Sequence, residues 1–202
     1  MIDTVPDRLR NLKRLFGFYV YNTKIVRVTE ELTKLSEMAI ITLYNCSLTS
    51  LPNLSNLTML IELDVAQNNL TDIVGIPGVQ MLFLRGNQLR QIPITDNPDE
   101  LFELDMTENP LSSAAAIMSY KNVEYLRLSG TGINSIPVTI DKLRNVHILE
   151  VANNKLTRLP TNVLNLRKLQ ELNIENNLLP TRDVESIRRS FKKSHPNLNI
   201  TC

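Results

Sequence analysis

Two pairs of carboxylates, Glu62/Asp64 and Glu103/Asp105, occur in the same local context, Glu-Leu-Asp. Carboxylates held close together can share a proton or act as general acid and base when a desolvated cleft separates their pKa values. On an extended strand, however, both members of each pair lie on one face, about 7 Å apart and open to water. They therefore read as recognition charges, not catalytic ones. The two histidines, His147 and His195, have no Ser, Cys or Asp at a spacing that suggests a nucleophile or metal site, and read as surface groups. Cys46 and Cys202 are too few and too far apart for a disulfide framework, and Cys202 reads as an exposed thiol. There is no Gly-rich phosphate loop and no His/Cys/Asp cluster, so the sequence assigns no catalytic residue, no metal ligand and no cofactor.

Composition narrows the classes further. The 202 residues are 43% hydrophobic and 21% charged, with 22 basic and 21 acidic side chains, as in an ordinary globular domain. A near-neutral balance gives no composition argument for nucleic acid, and no apolar run is long enough to span a bilayer. Two cysteines favour a reducing, cytoplasmic setting. Five N-x-S/T triplets, at Asn45, Asn53, Asn56, Asn69 and Asn199, keep a secreted or cell-surface alternative open.

The residues that could bind something are positioned by a repeat. Aligning on Thr23, Cys46, Asn68, Asn87, Asn109, Thr131, Asn154 and Asn177 gives eight units spaced by 22 or 23 residues, with one step of 19. Apolar residues stand eight, five and three positions before each anchor and two after it. All 32 of these positions are Leu, Ile, Val, Met or Phe, which chance does not produce at the chain's own hydrophobic frequency. Alternation at positions such as Leu63 and Val65 is the signature of a short strand with one buried face. Each unit thus supplies one strand to a parallel sheet, and its anchor satisfies backbone groups where the chain turns inward. The return arms, about ten residues long and broken by prolines, are expected to hold 3-10 turns. The short step carries Gly75-Ile76-Pro77-Gly78, a tight connection with little room for a helix.

This pattern resembles the leucine-rich-repeat family, LxxLxLxxN/CxL, over about residues 15–182. Leu51-Pro52, Ile136-Pro137 and Leu159-Pro160 follow the step typical of its intracellular members. The resemblance implies an α/β solenoid: a curved horseshoe with a parallel sheet on its concave face, 3-10 or short helices on its convex face, and helical caps. It also implies that Cys46 is a buried structural thiol. Residues 1–14 are expected to cap the amino terminus, Val5, Leu9, Leu12 and Phe16 recurring at helical spacing and Thr4, followed by Pro6 and Asp7, marking a helix start. Residues 183–202 cap the other end, with Val184, Ile187 and Phe191 facing inward and the tail from Asn197 lying over the last unit. The whole reads as one domain.

The exposed strand positions then define a candidate partner surface. Tyr19, Tyr21 and Tyr44 form an aromatic patch with Thr42, and Met81, Phe83 and Tyr125 an apolar island. Glu62, Asp64, Glu103, Asp105 and Glu150 rim that island, with Arg85 and Arg127 among them. Counting Glu108, Glu171 and Glu175, eight acids face two bases, so the neutral total conceals segregated charge. Exposed rings beside charges are what interface hot spots are made of. Arg188, Arg189, Lys192 and Lys193 read as the solvated face of the final helix. The expected function is a monomeric, non-enzymatic module that binds a protein or peptide carrying basic residues, with no nucleic acid and no membrane insertion. A surface recognition domain and the targeting part of a larger enzyme assembly are the alternatives.

Overall fold

The computed structural model describes residues 7–202; the expected helix start at Thr4, Val5 and Pro6 lies outside them. Nine strands form one parallel sheet in strict sequence order. They are β1 (Gly17–Tyr21), β2 (Ile40–Tyr44), β3 (Glu62–Asp64), β4 (Met81–Phe83), β5 (Glu103–Asp105), β6 (Tyr125–Arg127), β7 (Ile148–Glu150), β8 (Glu171–Asn173) and β9 (Asn199–Thr201). The first eight are the strands of the eight repeats. The ninth comes from the tail, which pairs with β8 in register, Leu172 opposite Ile200.

Return arms carry 3-10 turns at Glu30–Lys34, Pro98–Glu100, Ala115–Ser119, Ile140–Lys142 and Thr161–Asn165. The arms after β2 and β3 have none, although only the second of them has the short 19-residue step. There the chain folds back through Gly75, whose φ is +63° and whose Cα lies against the Asn53 side chain with no room for a methyl. Only glycine fits that combination of handedness and proximity.

Of the 32 apolar repeat positions, all are buried except Leu15, Phe18, Val20 and Leu179, which belong to the first and last units. Burial is incomplete where a solenoid ends. At the carboxyl end, α1 (Thr181–Ser194) covers the gap with Phe191 buried and Ile187 packed against the core. At the amino end, a 3-10 helix spans Asp7–Asn11. Leu9 and Leu15 pack inward there, whereas Leu12 and Phe16 of the expected helical stripe are exposed, because a 3-10 turn running into β1 rotates them outward.

The anchors form a buried amide ladder. Asn109, fully buried, donates to the carbonyls of Leu84 in the preceding repeat (2.9 Å) and Met106 in its own (3.0 Å), and accepts from Leu89 N (3.1 Å). Asn68, Asn87, Asn154 and Asn177 likewise donate to one carbonyl behind and one at home. Cys46, also fully buried, imitates them weakly, its thiol reaching Val20 O (3.5 Å) and Tyr44 O (3.4 Å). Thr131 has one hydroxyl proton. It donates to Leu128 O in its own repeat (2.8 Å) and makes no bond to the repeat behind.

The residue just before each anchor has a positive φ in all eight units: Asn22, Asn45, Gln67, Gly86, Glu108, Gly130, Asn153 and Asn176. Left-handed backbone at that point swings the chain from strand into the inward turn, and Asn and Gly tolerate it best. At Gly86 the absent side chain also leaves space that Gln67 fills.

Candidate functional site on the concave face

Because Leu63, Leu82, Leu104, Leu126 and Leu149 are buried, the residues on either side of each point to the open face of the sheet. Register fixes which of them touch. One row runs Ile40, Glu62, Met81, Glu103, Tyr125, Ile148, Glu171, and the row beside it Thr42, Asp64, Phe83, Asp105, Arg127, Glu150, Asn173. Adjacent members are about 4.8 Å apart. Strand β4 therefore presents two apolar side chains, Met81 and Phe83, with an acidic pair on each flank.

Tyr125 is not part of that island. Glu103 stands between it and Met81, and its ring packs edge-on to Phe102 and stacked on His147, each 6.3 Å away. The amino-terminal patch also differs from expectation at one position. Tyr21 and Tyr44 are neighbours across the strands and Tyr19 is exposed, but Thr42, opposite Tyr19, is covered.

Charge on the face is unevenly matched. Arg127 reaches both sides of β6, pairing closely with Glu103 and lying 3.6 Å from Glu150 Oε1. Arg85 is spent on Glu108 through two bonds, Nη2 to Oε1 at 3.0 Å and Nε to Oε2 at 3.3 Å. That pairing holds the Glu108 carboxyl below its usual pKa. Among the described residues no ion pair reaches Glu62, Asp64 or Asp105. Burial pushes the pKa of Glu62 up, and the nearby negative charges of Asp64 and Glu103 add to the rise. Asp64 is raised likewise, by burial first, against a lowering hydrogen bond from Ala66 N (2.9 Å) and with help from Asp105. Asp105 accepts the equivalent bond from Thr107 N at 2.9 Å. These bonds tie the two aspartates to the strand ends and fix where their charge points.

The histidines are not the free surface groups their isolation in the sequence suggested. His147 is three-quarters covered, its Nδ1 3.6 Å from Glu124 Oε2. His195 donates from Nε2 to Leu166 O (3.0 Å) and packs on Phe191 (5.4 Å), closing the cap over the last repeat. Cys202 is likewise half-buried, its sulfur accepting from Arg188 Nε at 2.8 Å. Among the described residues no three His, Cys, Asp or Glu side chains are grouped to hold a metal. None of the described helices is long and apolar enough to cross a membrane.

A single-file parallel sheet, 3-10 return arms, an anchor ladder and a capping helix define a leucine-rich-repeat solenoid. Solved structures bear this out: an internalin C2 from Listeria monocytogenes matches with a TM-score of 0.78 at 20% identity, over 92% of this chain and 80% of that one. A second Listeria internalin, inlF, matches with a TM-score of 0.72 at 18% identity, over 98% of this chain and 64% of its own. A Shigella effector leucine-rich-repeat domain gives 0.67 at 22% identity, over 82% and 72%. No protein-family model and no curated protein matches the sequence. The chain thus spans just under two thirds of inlF's length, and the likeness is one of fold.

Proposed function

We propose that this chain is a non-enzymatic interaction module that takes a protein or peptide with basic residues on its concave face. The observation carrying this is the register of β3, β4 and β5, which sets Met81 and Phe83 between Glu62/Asp64 and Glu103/Asp105. An arginine or lysine laid across β4 buries its aliphatic stem on Met81 and Phe83 while its charge meets carboxylates on both sides. Glu62, Asp64 and Asp105 have no cation of their own among the described residues, so a partner's cation neutralises repulsion instead of displacing an existing pair. Tyr19, Tyr21 and Tyr44 supply a second, aromatic contact at the amino-terminal end of the same face. Free Cys46 and Cys202 suit a reducing, cytoplasmic setting for this role.

The test is selection from a random peptide display library on the folded protein, followed by affinity measurement. Selected peptides should be enriched in Arg or Lys next to apolar residues. Changing Glu62, Asp64, Glu103 and Asp105 together to Lys should weaken them by at least about a hundredfold. Acidic or uncharged winners, or peptides indifferent to the four substitutions, would remove the concave face from the reading.

A further inference from the structure

The opposite sign of charge collects at a different place. Lys121, Arg144 and Arg167 occupy the same position in three successive repeats, in the turn just before the strand, 23 residues apart each time. The turns are locked together by side chains: Asn122 donates to Asp99 O (2.8 Å), Asn145 to Asn122 Oδ1 (3.4 Å), and Lys168 Nζ to Asn145 Oδ1 (2.8 Å). Between the last two turns lies a cleft of about 520 Å³ lined by Asp141, Arg144, Asn165, Arg167 and Lys168. Asp141, its one acid, is engaged by Asn162 Nδ2 at 3.3 Å. Among the described residues no ion pair reaches Arg144 or Arg167, which take equivalent places in neighbouring repeats. The repeat scaffold thus sets two like charges on the wall of one cleft.

We propose that this cleft binds a phosphate monoester group. Two guanidinium forks, an ammonium and the Asn165 amide offer more donors than the two oxygens of a carboxylate can accept, whereas a phosphate dianion has three terminal oxygens. A long polyanion fits poorly. Lys121 is already drawn to Asp99 at 3.9 Å, and one repeat further back the edge carries Asp99 and Glu100, so the cationic row ends after a few ångströms. The site is independent of the concave face, whose partner has the opposite charge.

Side-chain NMR of the arginine Nε–Hε groups tests this on the whole chain. The probes are inorganic phosphate, a phosphoserine peptide, its unphosphorylated twin, and single-stranded oligonucleotides of increasing length. Saturable shifts of Arg144 and Arg167 with phosphate or the phosphopeptide are expected, weakened about tenfold or more by R144Q or R167Q and less than about twofold by K121Q. Circular dichroism would confirm that the variants fold. A phosphopeptide binding more tightly than inorganic phosphate identifies a phosphorylated chain as the source, and equal binding a free phosphate compound. Equal binding of the unphosphorylated peptide, an R144Q/R167Q variant that still saturates normally, or oligonucleotide affinity that grows with length and falls as much in K121Q would each overturn the proposal.

Discussion

The same strands carry two polar networks, one on each side, and they do different work. Inside, the amides of Asn68, Asn87, Asn109, Asn154 and Asn177 bond backbone groups of neighbouring repeats, with Asn109 fully buried. Outside, carboxylates and two arginines lie on the half-exposed concave face. Buried amides with satisfied partners are costly to remove because the backbone groups they leave have no water to turn to. Exposed ion pairs contribute little to stability because water serves nearly as well. The fold is therefore held from within, which leaves the outer network free to be set by recognition.

The largest loss is expected of Asn109→Ala, which orphans Met106 O and Leu89 N and takes from Leu84 O one of its two amide donors, leaving it the Asn87 bond. It should cost about 3 kcal/mol or more in urea unfolding. A loss below that of an exposed ion pair would show that the ladder is decorative. Next in size is Gly86→Ala, which places a side chain at φ +65° against the Gln67 amide, with an expected loss of about 1–2 kcal/mol. Thr131→Asn goes the other way: an amide there can bond Met106 O behind it as the other rungs do, for a gain of about 1 kcal/mol. If the variant is instead destabilised, the space beneath Gly130 and Gly132 is too small for the amide.

Outside, the smallest stability effect belongs to Arg85→Gln. Both partners of the Arg85–Glu108 pair are about half exposed, so the loss should stay under about 0.5 kcal/mol. The pH response separates these charges by sign. Glu62 and Asp64 have folded pKa values above their ordinary 4.5 and 3.8, so their ionisation opposes folding above the raised values. That penalty is relieved as pH falls through them. Glu108, lowered by Arg85, contributes stability above its ordinary value of 4.5 that is lost as pH falls through its lowered one. Asp64→Asn should therefore flatten the stability gain on mild acidification, read by urea unfolding at a series of pH values. An unchanged profile would mean that neither burial nor the charge of Asp105 raises Asp64.

Much of this architecture is legible in the amino-acid sequence, because a repeat states the same instruction eight times. Strand positions, buried faces and the inward face of α1 all follow from spacing, whereas the arm after Cys46 lacks a 3-10 turn at an ordinary step of 22 residues. The separation of Tyr125 from Met81 is legible too, since aligning the anchors already places Glu103 between them. The positive φ before each anchor also leaves a trace: six of the eight residues are Asn or Gly. Other features leave none. Arg127 lies between two acidic strands, and only its rotamer shows that it bonds Glu103 closely and Glu150 more loosely. The bond from His195 to Leu166 O joins residues 29 apart through a cap whose path has no repeat to guide it. The Arg144/Arg167 cleft needs the arms placed, and the arms are where the repeat varies most.

Pulled from its carboxyl-terminal end, the molecule would first load the β8–β9 pairing and the Arg188–Cys202 contact, because each strand bonds only the one before and the one after it. Once α1 and β9 come away, the next repeat becomes the new end, and the sheet peels like a strip of tape instead of yielding as a block. Each released repeat of 22 or 23 residues would lengthen the chain by about 75–80 Å, a staircase with one shorter tread where the 19-residue step lies.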